Sequence, residues 1–323
     1  MDILEISKKK ININFKDFLK KVDNTFTKLN QKYFNKIEIL KNKKKIGKNI
    51  FLIDISNNPT NCFKVRGALS EVLSKKLENI KYLCAASSGS FGISVALSAK
   101  LLKKQSIIFA PKNLKSKKKK ILKKYNARVI YSEDYEKAKE NAKKFSKKKK
   151  HIFINGLGKN VLYGNGTYFK ELFEREIENL SKSKKIALIV PLGIGSLALP
   201  AGLYLGGKKT NFDLHLVEPK NYSKFQSNLK NEKIEYFSPT LADGAAVKVL
   251  PKKSYSHLLS FAKTIITLNE NEIAESIKYL DKTKIFKRKI EGAGALAFGA
   301  FLFGSEYFKK YKSIYIFITG KNK

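Results

Sequence analysis

A lysine directly behind an aromatic residue, Phe63-Lys64, lies in the stretch Asn58-Pro59-Thr60-Asn61-Cys62-Phe63-Lys64-Val65-Arg66-Gly67-Ala68. It falls where a strand-like run gives way to a helix-like one. A lysine fixed at such a junction suits a Schiff base with pyridoxal phosphate (PLP). It must reach the cofactor's C4′ carbon and lose its proton, to act first as a nucleophile and later as a base. The chain carries 66 Lys+Arg, so a lysine after Phe is an ordinary event. The assignment therefore depends on what else the sequence holds.

Two further segments offer anion chemistry. Ala85-Ala86-Ser87-Ser88-Gly89-Ser90-Phe91-Gly92 follows the apolar run Tyr82-Leu83-Cys84 and opens an amphipathic run from Ile93 to Leu102. Small residues there leave backbone N–H groups bare at a helix N-terminus, a ready site for a carboxylate. The apolar strand Ile186–Pro191 leads through Gly193-Ile194-Gly195-Ser196-Leu197 into an apolar helix, Ala198–Leu205. Such a strand-to-helix turn cradles phosphate with main-chain donors and the helix dipole.

Taken in order, these segments resemble the fold-type II PLP enzymes, the tryptophan synthase β superfamily, and within it the serine/threonine dehydratase and serine racemase branch. Further matches are Gly164-Asn165-Gly166-Thr167 with Glu171, Leu241–Val247, Glu291–Ala297 and Thr319-Gly320-Lys321-Asn322. The resemblance runs from about Phe51 to the C-terminus. It implies PLP as cofactor, with Lys64 as the Schiff-base lysine and α-proton base. Phe63 packs near the cofactor, Ser90 faces its phenolic oxygen, and Thr319 hydrogen-bonds its pyridine nitrogen. The N–H groups of Gly193, Ile194, Gly195, Ser196 and Leu197 hold its phosphate. Ser87, Ser88, Gly89 and Ser90 hold the substrate carboxylate, and Asp243 lies on the substrate. Ser88 stands where racemising members place a second acid/base on the opposite face of the cofactor. Its plainer role is to fill the carboxylate loop.

The chain departs from the family in places. Ser90-Phe91 replace Asn-His, Ile194 interrupts the glycines of the phosphate loop, and Ile53-Asp54-Ile55-Ser56 replace Lys-x-Glu-Asp. Glu218 matches the first acidic residue of the metal-binding members, but Lys224 falls near the expected acidic ligand. No metal site is expected.

Composition sets the remaining bounds. The 323 residues suffice for two lobes around sizeable cores. No run of 18 apolar residues appears, which argues against a membrane span. The N-terminus lacks the apolar segment of a signal peptide. Two cysteines, Cys62 and Cys84, are too few for a disulfide framework and point to a reducing compartment, hence a cytoplasmic protein. The net charge of +39 comes almost entirely from lysine; the arginines are Arg66, Arg128, Arg175 and Arg288. A nucleic-acid surface would also use arginine forks, so no nucleic-acid partner is expected. Runs such as Lys117–Lys120 and Lys147–Lys150 read as solvated helix faces.

The elements that must position these residues alternate. Ile50–Ile55, Ser106–Pro111, Ala127–Ser132, His151–Ile154, Ile186–Pro191, Leu214–Glu218 and Ile314–Thr319 read as strands, with helix-like stretches between most of them. Residues 1–30 read as a helical lead-in, with Phe15, Phe18, Leu19 and Val22 on one side. The pattern predicts an α/β fold of two lobes, each a mainly parallel twisted sheet flanked by helices. The resemblance divides it into residues 1–80 and 154–323 as the large PLP-binding lobe, with 81–153 inserted as the small one. The expected activity is β-elimination from a small hydroxyamino acid, threonine or serine, to a 2-oxo acid and ammonia. The expected assembly is a homodimer or higher homo-oligomer. A β- or γ-replacement enzyme like threonine synthase or cysteine synthase, and a non-catalytic relative that kept the fold, are the alternatives.

Overall fold

Two parallel sheets of unequal size carry the molecule, as the computed structural model shows. It describes residues 1–321 apart from 10, 12, 31, 32, 34, 35, 42–48, 177–184 and 235–238, so Asn322 of the C-terminal motif lies outside the described residues. The strands are β1 (Asp2–Glu5), β2 (Glu38–Leu40), β3 (Ile50–Asp54), β4 (Tyr82–Ala86), β5 (Gln105–Pro111), β6 (Arg128–Ser132), β7 (His151–Phe153), β8 (Ile186–Pro191), β9 (Phe212–Pro219), β10 (Ala262–Leu268) and β11 (Ser313–Ile318). The larger sheet has the order β1-β10-β9-β8-β11-β3-β2, and the smaller β6-β5-β4-β7. Every strand between Tyr82 and Phe153 belongs to the smaller sheet.

The centre of the larger sheet follows from its sequence. In β11, Tyr315 and Phe317 pack into the apolar layer on one face, and Ile314, Ile316 and Ile318 into the layer on the other. β8 divides likewise, with Leu188 and Val190 on one side and Ala187 and Ile189 on the other. A strand covered on both faces needs apolar residues at every position. Each such side chain contributes about 1.5–3 kcal/mol of burial.

Along the chain the described helices are α1 (Phe15–Asn30), α2 (Lys64–Leu73), α3 (Ser90–Leu101), α4 (Ser116–Lys124), α5 (Tyr135–Phe145), α6 (Lys159–Arg175), α7 (Ala198–Gly207), α8 (Lys224–Lys230), α9 (Lys252–Phe261), α10 (Glu270–Thr283), α11 (Gly292–Phe303) and α12 (Ser305–Phe308). Among the described residues, no helix is long and apolar enough to cross a membrane.

Three expectations need correction. The lead-in is not helical from its first residue: Asp2–Glu5 pairs antiparallel with β10, and β2 pairs antiparallel with β3, so both edges of the larger sheet are antiparallel. β10 went unpredicted because α9 runs straight into it at Ala262, with no glycine or proline between. The expected amphipathic helix after the second loop, α3, is buried on nearly every side, from Ser90 and Gly92 through Ala99. It packs against both α2 and β5.

Candidate active site

β3, β8 and β11 are neighbours in the larger sheet and run parallel, so their C-terminal ends lie together. That is where ligands sit in sheets of this kind. β8 ends at Pro191 and opens into Gly193–Leu197. β11 ends at Ile318 beside Thr319, and β3 leads through residues 55–63 to Lys64 at the start of α2.

The approach to Lys64 is pinned from several directions. Ile55 N–H donates to Ile318 O (3.1 Å), Phe63 N–H to Thr319 O (3.1 Å) and Lys321 N–H to Asn61 O (3.0 Å). Tyr168 Oη donates to Phe63 O at 2.8 Å. Phe63 is buried in the main core, with its ring 5.7 Å from Lys64 Nζ, so its packing role and its place beside the lysine coincide. Lys64 Nζ points to Gly244 O at 3.4 Å.

Beneath the lysine, α2 and α6 cross closely. A Cβ on Gly164 would lie 2.5 Å from Arg66 O and 2.8 Å from Gly67 Cα, so only glycine lets the helices meet there. Arg66 then reaches α6. It makes a 2.8 Å ion pair with Glu171, donates to the Thr167 hydroxyl oxygen at 3.3 Å, and stacks 4.2 Å above the Tyr168 ring. Glu171 also accepts from Ile37 N–H at 2.7 Å. Both charges are almost fully buried, and such a pair fixes position because neither charge can be left alone there.

The loop after β8 is built for an anion. Among the described residues, no protein acceptor takes the backbone N–H of Gly193, Ile194, Gly195, Ser196 or Leu197. Asn165 Nδ2 donates to Ser196 O at 2.8 Å and so ties the loop to α6. Gly195 has φ +91°, a conformation that favours glycine. Ile194 is not among the residues of positive φ, so the loop tolerates a side chain there. A Cβ on Gly193 would stand 3.7 Å from Gly244 O, the same carbonyl that Lys64 faces. The loop after β8 and the lysine thus meet at one point. These residues fit PLP: five free N–H donors for a phosphate, an amine within reach of one shared carbonyl, and a hydroxyl at the end of β11.

Thr319 is buried, and its hydroxyl donates to Ala293 O at 3.2 Å. Its oxygen is left to accept. Nearby, Lys321 Nζ lies 2.5 Å from Asp54 Oδ2, while Asp54 Oδ1 takes both N–H and O–H of Ser56. Sequence reasoning noted the change at Ile53–Ser56 but missed this buried pair, whose partners are far apart in the chain.

In the smaller sheet, β4 ends at Ala86 and the second loop follows. The Ser87 hydroxyl shapes the loop: Oγ accepts from Gly89 N–H (3.0 Å) and Gly92 N–H (2.9 Å). Ser88 is its exposed member, while Gly89 and Ser90 are buried. Among the described residues, no protein acceptor takes the N–H of Ser88 or Phe91. Asp243 is ion-paired within the protein. Its Oδ2 is held by Lys115 (2.8 Å) and Lys118 (2.9 Å). Burial would raise its carboxyl, but Lys118 first, then Lys115, hold it below the usual carboxylate range.

Glu218 caps α8, accepting from the N–H of Phe225 (2.9 Å) and Gln226 (3.3 Å). Burial pushes its carboxyl up to about 8, against the pull of those N–H groups and of Lys224. No cluster of metal-ligating side chains occurs among the described residues. Cys62 and Cys84 are buried free thiols, and burial pushes Cys84 up to about 11.

Residues 34–320 match the family described as pyridoxal-phosphate dependent enzyme. The chain belongs to that family. The enzyme is 28% identical to the L-threonine ammonia-lyase of Thermotoga maritima over 284 residues, 85% of this chain and 68% of that one. It is 30% identical to the serine racemase of Schizosaccharomyces pombe over 266 residues, 80% of this chain and 79% of that one. The solved structure of processed threonine deaminase isoform 2 from Solanum lycopersicum superposes with a TM-score of 0.84 at 19% identity, covering 99% of this chain and 94% of that one, a likeness in fold.

Proposed function

We propose that this enzyme is an ammonia-lyase acting on a small hydroxyamino acid, serine or threonine. One observation carries the reading: Lys64 Nζ and the first glycine of the N–H-rich loop meet at the Gly244 carbonyl. When bound, PLP supplies the electron sink that lets an α-proton leave. The N–H groups of Gly193–Leu197 would hold its phosphate, Phe63 and Ser90 would contact it, and Thr319 would bond its ring nitrogen.

There the Thr319 hydroxyl would turn from Ala293 O to donate to that nitrogen; being neutral, it would leave the nitrogen unprotonated and the sink weak. That favours rapid loss of a β-substituent over transamination. Ser88, Gly89 and Ser90 orient the substrate carboxylate through the main chain, with Asp243 opposite. Lys64 Nζ removes the proton from the substrate Cα. The β-hydroxyl departs as water, and hydrolysis gives the 2-oxo acid and ammonia. Ser88, exposed while Ser87 is committed to the loop, supports a second activity as the acid/base of racemisation.

The same reading has residues 81–153 as a small lobe inserted into 1–80 and 154–323. The separate sheet within that span supports this. The protein is proposed to be cytoplasmic, as two buried free thiols suit a reducing compartment, and to form a homodimer or higher homo-oligomer, which light scattering tests. For the activity, purified enzyme is incubated with L-serine and L-threonine, and 2-oxo acid is assayed beside Lys64→Ala. Oxo acid from the wild type alone supports elimination. Addition of a thiol across the β-carbon without oxo acid would mean a replacement enzyme.

A further inference from the structure

Lys118, within the run Lys117–Lys120, lies against the second loop and Asp243. Its side chain is only 16% exposed, against 63% for Lys115, which holds the same Asp243 oxygen. Lys118 lies over the second loop: a Cβ on Gly89 would stand 2.7 Å from its Nζ, 3.2 Å from its Cε and 3.4 Å from its Cδ. The side chain thus fills the space that any residue larger than glycine would take.

Two ammonium groups against one carboxylate leave a positive charge uncompensated. That charge sits beside the N–H groups of Ser88 and Phe91, for which the described residues supply no acceptor, at the positive end of α3. An anion arriving there meets two main-chain donors and a cation that is already partly desolvated.

We propose that Lys118 is a specificity-determining residue whose ammonium takes the α-carboxylate of the amino-acid substrate at residues 88–91, leaving Asp243 to do so. The proposal rests on the reading of this loop as the carboxylate site. Lys118 stands on α4, against the smaller sheet, and Asp243 in the segment between β9 and β10 of the larger one. Carboxylate capture therefore releases a contact between the two sheets' elements, and Asp243 acts as the resident anion the substrate displaces. A plain clasp between the two parts predicts something different, because removing either partner of a clasp disturbs the loop in the same direction. Displacement predicts opposite directions.

The test is calorimetric titration of the PLP-loaded protein with propionate, which carries a carboxylate but no amino group and undergoes no reaction. Lys118→Met is expected to weaken propionate binding about tenfold or more, the loss of one charge-assisted contact. Lys118→Arg keeps the charge and is expected to hold affinity within about threefold. Asp243→Asn is expected to tighten binding about threefold or more, because the competitor is gone. Equal affinity in the wild type and Lys118→Met, weaker binding in Asp243→Asn, or no propionate binding to the wild type overturns the proposal. Turnover of serine and threonine is assayed on the same samples. Its absence beside the expected propionate results sinks the elimination reading and leaves the assignment of Lys118 standing.

Discussion

The two loops proposed to hold anions are built from different materials. The loop after β8 keeps its donors in its backbone: Gly195 supplies the positive φ, the Asn165 side chain ties down Ser196 O, and five N–H groups have no protein acceptor among the described residues. The loop after β4 leans on side chains. Ser87 spends its hydroxyl on Gly89 and Gly92, and Lys118 lies across Gly89. One sits on a seven-stranded sheet with its neighbour helices locked through Arg66 and Glu171, the other on a four-stranded sheet. A cofactor that stays bound suits the rigid site. A substrate that comes and goes suits the site whose cation has an alternative partner.

The contrast breaks first at its foundation. Glu171→Ala leaves Arg66 buried beside Tyr168 without its counter-charge, and the expected loss is about 3–5 kcal/mol of stability by urea unfolding. A loss as small as that of a surface pair would mean that α6 does not lock the Lys64 segment. Gly164→Ala drives a Cβ to 2.5 Å from Arg66 O, for an expected loss of about 1–3 kcal/mol. Gly156→Ala, whose Cβ comes no closer to a neighbour than 3.5 Å, at the Phe91 ring, serves as the near-neutral control.

Within the phosphate loop, Gly195→Ala must hold an L-residue at φ +91°, at a cost of about 1–3 kcal/mol or roughly five- to 150-fold in PLP affinity. Ile194→Gly is expected to change that affinity by less than about threefold, since no positive φ is demanded there. Equal effects at the two positions would remove the claim that backbone conformation builds this loop. Smallest is Ser88→Ala: 2-oxo acid formation from L-serine is expected within about threefold of the wild type. Any interconversion of serine enantiomers falls further, as measured by chiral chromatography. A larger loss of elimination than of racemisation would put Ser88 on the wrong side of the comparison.

Much of the rigid half was legible in the sequence. Phe63-Lys64 and Gly193–Leu197 are local signals, because a strand-to-helix turn and its donors lie within a few residues of each other. The central strands β8 and β11 were legible for the same reason, as unbroken apolar runs. What escaped was set by distance or by disguise. β1 and β2 are short edges whose partners lie elsewhere, and β10 follows α9 without punctuation. The Asp54–Lys321 pair joins opposite ends of the chain. Lys118 was hidden among identical neighbours, and only the helix's placement against Gly89 separates it from them. The internal partners of Ser87 and Asp243 were not legible either, because residue type alone does not reveal them.

The central claim is that Lys64 is the amine that carries the cofactor. Borohydride reduction of the PLP-loaded protein, followed by proteolysis and peptide mass mapping, tests it without reference to turnover. The account predicts a pyridoxyl group on Lys64 and on no other lysine, absent from Lys64→Ala. A label on a different lysine, or a wild type that retains PLP with Lys64 unlabelled, would contradict it.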